Sequence, residues 1–198
     1  MTATRQRLID AAFARFYRDG FREVGLDQIL ADVGISKTAF YKHFESKEEL
    51  VLAVLEHQDR WLRERFRSTI ERHGGDDPHG QLLALFDVVE ELVHFEGFRG
   101  CFFVNVAMEF PLPHTPAHVA AASNKLAMQG IIVQLAGEAG APDPELLAKE
   151  LMLLMEGAYV TSHVLGDRGA VETARRAAEV LVARRLDVPH GDAEVASR

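Results

Sequence analysis

Cysteine occurs once in these 198 residues, at Cys101, so no internal disulfide can form. No apolar run approaches the roughly 18 residues that would span a bilayer. The opening segment, MTATRQRLIDAAFARF, has no continuous apolar stretch before a small-residue cleavage site, so no secretory signal is expected. Repeats and low-complexity tracts are absent. These absences fit a reducing cytoplasm and no membrane partner. Metal-binding patterns are lacking as well. His114 and His118 have the i,i+4 spacing of helical zinc ligands. Pro116 lies between them and no HExxH or nearby cysteine accompanies them, so they read as surface histidines and no cofactor is expected. Positive charge is also short: 22 Lys and Arg stand against 30 Asp and Glu, for a net −8. That balance excludes a chain that coats nucleic acid over its whole surface.

What positive charge there is lies unevenly. Residues 1–47 hold eight basic and six acidic side chains, a net +2, and the rest carries −10. An acidic body and a mildly basic head fit one local, oriented contact with an anionic partner.

Hydropathy is periodic at helical spacing almost throughout. Leu8, Ile9, Ala12, Phe13 and Phe16 form one stripe, with Thr4 as its expected cap and Gly20 as its stop. Leu26, Ile29, Leu30 and Val33 form a second, ended by Gly34, which accepts a left-handed turn at little cost. Ser36 caps a short third helix, Lys37 to about Phe44, with Phe40 and Phe44 on its inner side. Two short helices joined by a glycine turn make a helix-turn-helix at about 25–44. Ser46-Lys47-Glu48-Glu49 is a capping box that opens a long fourth helix, ended at His73-Gly74-Gly75. Five more follow: three opened by Asp77-Pro78, Thr115-Pro116 and Asp143-Pro144, one after the Gly97 and Gly100 breaks, and a last one set apart by Gly166 and Gly169. CFFVNVAMEF, residues 101–110, suits a buried strand or a buried helix by periodicity. Helix is chosen because no other segment could pair with a strand. The expected fold is all-α, with about nine helices. A head covers 2–62, a helical body covers 63–187, and 188–198 is expected to be a mobile tail.

The head resembles the DNA-binding domain of the tetracycline-repressor (TetR) family. The resemblance rests on Ala11-Ala12, Phe16, Gly20-Phe21, Ile29, Gly34-Ile35-Ser36-Lys37, Phe40-Tyr41, His43-Phe44 and Ser46-Lys47-Glu48-Glu49-Leu50, in gap-free order. RGCFFVNVAMEF at 99–110 also resembles a stretch found in one branch of that family. The resemblance implies a dimeric transcription regulator, usually a repressor, that leaves a palindromic operator when a small molecule enters the body. Its third helix would enter the major groove. The expected DNA-facing set is Leu26, Ser36, Lys37, Thr38, Ala39, Tyr41, Lys42, His43 and Lys47, chiefly as phosphate contacts. An Arg5/Arg7 arm on DNA and a solvated N-terminus remain equal alternatives. The chain departs from the family at Gly25, where a small hydroxyl residue is usual, and at Thr38-Ala39, where glycine and threonine are usual. The first removes a cap or phosphate contact, and the second changes the groove-facing start of the third helix.

In the body, Asn105 and Glu109 share one face of an apolar helix. They suit either interhelical hydrogen bonds or the polar grip of a ligand cavity walled by Phe86, Val89, Phe102, Met108, Met155 and Tyr159. For the last two helices the resemblance implies a four-helix dimer interface. Leu154, Gly157, Ala158, Ala174, Ala177, Ala178 and Leu181 are its expected residues, several small enough for close approach. Cys101, followed by Phe102-Phe103-Val104, reads as a buried, inert thiol rather than a redox sensor. Two alternatives stand beside the effector-released regulator. One is a same-fold regulator whose body serves only dimerisation or a protein partner. The other is an all-α enzyme using Cys101 or the Asn105/Glu109 pair.

Overall fold

The computed structural model describes residues 2–186, so the tail expected at 188–198 lies outside the described residues. Among the described residues there are nine helices and no strand. They are α1 (Ala3–Asp19), α2 (Leu26–Val33), α3 (Lys37–Phe40), α4 (Lys47–Gly74), α5 (Pro78–Val93), α6 (Phe102–Glu109), α7 (Pro116–Glu138), α8 (Pro144–Leu165) and α9 (Ala170–Leu186). The ambiguous segment at 101–110 is helical. None of these helices is long and apolar enough to cross a membrane.

The start signals act largely where the sequence places them. Asp77 caps α5, accepting from the His79 and Gly80 N–H groups, and Asp143 caps α8 by accepting from Leu146 N–H. Gly34 ends α2 in the left-handed region, at φ 72°. Two caps differ from expectation. Thr2, not Thr4, caps α1, its Oγ1 accepting from Arg5 N–H at 3.3 Å. At α4, Ser46 Oγ accepts from Glu49 N–H at 3.1 Å, but the Glu49 carboxylate reaches back to Glu45 N–H at 2.5 Å, one residue before the cap. The third helix is also shorter than expected. After Phe40 the chain tightens into turns, with His43 N–H bonded to Phe40 C=O at 2.8 Å.

The helices fall into two compact units. Of the described residues, the first holds 2–65 and 95–127 and the second 66–94 and 128–186. The expected single body at 63–187 is therefore divided. The reason is packing. Phe103 and Val106 of α6 and Ala117 and Ala121 of α7 are buried in one core with Leu8, Ile9, Phe16, Phe21, Ile29, Phe40, Phe44 and Leu50. Phe102 adds its ring beside Phe13 (5.2 Å) and Phe21 (5.5 Å). Fully burying each such aromatic contributes about 1.5–3 kcal/mol. The apolar 101–110 segment thus completes the head's core.

The second unit is a separate core. Leu82, Leu85, Phe86 and Val89 of α5 meet Leu147, Leu151 and Met155 of α8 and Ala174, Ala178 and Val182 of α9, all buried. Ion pairs sit at its margin: Arg175 donates to Asp87 at 2.5 Å, and Arg185 to Glu150 at 3.0 Å.

Candidate nucleic-acid interface

The helix-turn-helix is held in place by contacts from outside its own sequence. The Arg15 guanidinium on α1 makes a two-point bond to Asp32 on α2, at 2.6 and 2.7 Å. That bond holds the Asp32 carboxyl below its usual range, and Arg18 does the same for Asp19. Arg7 donates to the Val33 carbonyl at 2.6 Å, closing the C-terminal end of α2. Arg5 lies over the Phe44 ring, 4.7 Å from its centroid. Both arginines of the expected arm are therefore folded onto the head.

The turn between α1 and α2 is clamped from two sides. Gly20 leaves α1 at φ 88°, ψ 159°, a region essentially confined to glycine. The next two N–H groups, of Phe21 and Arg22, donate to Glu109 Oε2 at 2.8 and 3.2 Å. On the other side Lys47 Nζ donates to the Phe21 carbonyl at 2.7 Å and lies 5.8 Å from the Phe16 ring centroid. Lys47, expected at a phosphate, uses one of its three donors to hold this turn.

Glu109 and Asn105, expected either as interhelical bonds or as a cavity grip, act as backbone anchors. Asn105 Nδ2 donates to the Arg99 carbonyl at 2.9 Å. Tyr17 secures the same loop, donating to Gly100 C=O and accepting from Arg99 N–H, each at 2.8 Å. Burial raises its phenol pKa above the usual value. The other expected cavity residues are divided between the two units. Met108 is 76% exposed, and Phe102 packs among the head's rings. Phe86, Val89, Met155 and Tyr159 are buried in the second unit's core. His118 Nδ1 is tied to the Phe110 carbonyl at 2.7 Å. Cys101 is half-buried and accepts from Lys125 Nζ at 3.1 Å, so it is more accessible than expected.

A patch at α3 remains turned outward. Ser36, Lys37, Thr38, Tyr41 and Lys42 are exposed, and Ala39 and His43 are half-buried. Ser36 Oγ accepts from Ala39 N–H at 3.2 Å, fixing the start of α3. Tyr41 is 58% exposed and stands edge-on to buried Phe40. Lys37 pairs with Asp27 at 2.9 Å, a bond that raises its pKa, and both side chains are well exposed. An exposed pair of this kind is weak and opens readily to another anion. Leu26 is half-buried and packs against the head core.

Gly25 caps α2 with no side-chain bond; only the Gln28 amide oxygen reaches back, accepting Gly25 N–H at 2.8 Å. A Cβ there would meet nothing nearer than that oxygen at 3.8 Å, and φ is an ordinary −77°. Gly25→Ser supplies the missing acceptor. We expect it to stabilise the chain by about 0.3–1 kcal/mol in urea unfolding. A loss of stability would show that the α2 start is not limited by its cap.

An all-helical chain with a glycine-turned helix-turn-helix and an outward α3 patch defines a class of DNA-reading regulators. A family model of bacterial regulatory proteins of the tetR family matches residues 8–54, and one described as a tetracyclin repressor-like C-terminal domain matches 78–178. The chain belongs to the TetR family. It is 30% identical over 99 residues to the HTH-type transcriptional regulator YjdC of Escherichia coli K12, covering 50% of this chain and 52% of YjdC. It is 29% identical over 163 residues to the transcriptional regulator AcuR of Cereibacter sphaeroides, covering 78% of this chain and 74% of AcuR. Among solved structures, the TetR-family regulator SCO4454 of Streptomyces coelicolor superposes with a TM-score of 0.86 at 28% identity, over 93% of this chain and 96% of that one. The chain spans half or less of several curated relatives, 27% of YerO from Bacillus subtilis among them.

Proposed function

We propose that the chain is a DNA-binding transcriptional regulator, a cytoplasmic repressor that meets a palindromic operator as a homodimer and is released by a small molecule. The observation that carries the DNA contact is the α3 patch. Lys37 and Thr38 on α3 and Tyr41 and Lys42 in the turn after it are exposed, around a fully buried Phe40. Lys42 and Tyr41 suit phosphate oxygens, which position a protein without reading sequence. Thr38, at the start of α3, suits a base edge or a thymine methyl. Glu109 and Lys47 keep the α1–α2 turn fixed, so α2 and α3 are presented as one preorganised unit.

A selection of genomic fragments, followed by fluorescence anisotropy on the selected fragment, tests this reading. Tyr41→Ala is expected to weaken binding by about tenfold, consistent with loss of one positioning contact. Lys42→Ala is expected to weaken binding evenly across sequences and to lower the slope of log K against log salt by about 1. Thr38→Val is expected to change which fragments are selected. Failure to enrich any fragment at moderate salt would sink the regulator reading.

A regulator of the same fold that takes no small molecule remains the second reading. The anchoring of Asn105 and Glu109 on backbone groups favours it, because both were the polar part of the expected effector grip. The same anchoring removes their basis as an enzyme's reacting pair.

A further inference from the structure

Within the first unit a groove of about 400 Å³ opens between the α1–α2 turn, the start of α4 and the start of α7. Its walls are mostly apolar: Phe21, Val51, Leu52, Phe110, Pro116 and Ala117. That volume lies in the range of small-molecule sites. The polar groups at its edge are not balanced in sign. Arg22 and Lys47 line it as cations, against the single carboxylate of Glu48. Lys47 and Glu48 belong to the first turn of a 28-residue helix, and Pro116 and Ala117 to the first turn of a 23-residue one. Two long helices therefore bring their positive ends to one apolar groove, where an anionic group is favoured. The Lys47 ammonium is already fixed in place by the Phe21 carbonyl, so little side-chain freedom remains to be lost when an anion arrives.

We propose that this groove binds an amphipathic organic anion, with a flat or compact apolar body against Phe21 and Phe110 and one carboxylate or sulfonate toward Lys47 and Arg22. This goes beyond the regulator reading and does not depend on it, since occupancy can be read without DNA. Calorimetry on the full chain is the test, with three probes of one shape: naphthoate, its neutral amide, and aminomethylnaphthalene. Naphthoate is expected to bind at one molecule per chain. The amide is expected to bind at least about tenfold more weakly, and the amine more weakly still. Leu52, 37% exposed on the groove wall, and Arg22, exposed at its mouth, are sites where charge can be added without entering the core. Leu52→Glu and Arg22→Glu are each expected to reduce naphthoate binding by about tenfold or more, with the melting temperature used to confirm folding. The proposal is overturned if naphthoate does not bind, if the amide or amine binds equally well, or if both folded variants bind naphthoate unchanged.

Discussion

Replacing Gly20 by alanine is expected to destabilise the chain by about 2–4 kcal/mol, lowering the thermal midpoint by about 4–16 °C. Two costs combine. At φ 88°, ψ 159° the backbone of Gly20 lies where an L side chain is strained by about 1–3 kcal/mol. A Cβ at this position would also sit 3.2 Å from Glu109 Oε1, tighter than ordinary contact. That carboxylate cannot retreat freely, because its other oxygen accepts the Phe21 and Arg22 N–H groups. The partner experiment is Glu109→Ala. It leaves the N–H of Phe21, a residue 2% exposed, without its acceptor, at about 1–3 kcal/mol. The double variant separates the two costs. If the carboxylate contact matters, Gly20→Ala and Glu109→Ala together cost less than their sum; if only the backbone is strained, they add. A near-neutral Gly20→Ala would mean that the turn relaxes easily and that α2 is not preorganised by it.

Much of the fold was legible because helix signals are local. The proline starts at Pro78, Pro116 and Pro144, the aspartate caps and the glycine stops each act over three or four residues, and the elements begin near where those residues stand. The α3 patch was legible for the same reason: Phe40 and Phe44 fix which side is buried, and the remaining side chains follow. What was not legible is long-range. Glu109 meets a turn 88 residues earlier, and nothing near Phe21 marks its N–H as waiting for a distant carboxylate. Lys47 looked like a phosphate ligand because its neighbours Lys42 and Tyr41 do; only the folded turn shows the Phe21 carbonyl in its reach. The apolar segment 101–110 announced burial but not its destination, so it was assigned to the body when its rings complete the head. The unbonded start of α2 at Gly25 could be read from the absent side chain alone.

Charging the outer face of α8 is expected to have the second large effect: if, as we propose, the chain dimerises through this face, Leu153→Glu with Val164→Glu should yield a monomer. Of the small residues expected at the interface, three lie inside the single chain. Ala158, Ala174 and Ala178 are buried within the chain, where their size lets α8 and α9 approach. Leu154 and Leu181 are half-buried. Gly157 and Ala177 face outward, flanked by exposed apolar residues. Leu153 is 74% exposed, Val164 70% and Val180 71%, with Leu146 and Val160 continuing the α8 stripe. The helical turn that brings the alanines inward carries these larger residues out, a shift of one position that periodicity cannot settle when both faces are apolar. A contiguous apolar face of this kind suits a second copy of the chain. In a two-fold interface each introduced glutamate appears twice and is desolvated against the partner's apolar stripe, so its cost is doubled. Sedimentation should show the monomer, with helical content retained. Ala158→Leu is the contrasting variant: it overpacks the α8–α9 contact within one chain and should cost about 1–3 kcal/mol without changing the oligomeric state. DNA binding carries the consequence further. Half-sites lie about 34–36 Å apart or a multiple of that. A monomer holds one at a time, so affinity for the full site should fall by about 100-fold or more while the α3 patch is untouched. A charged α8 face that leaves the chain dimeric would move the interface elsewhere.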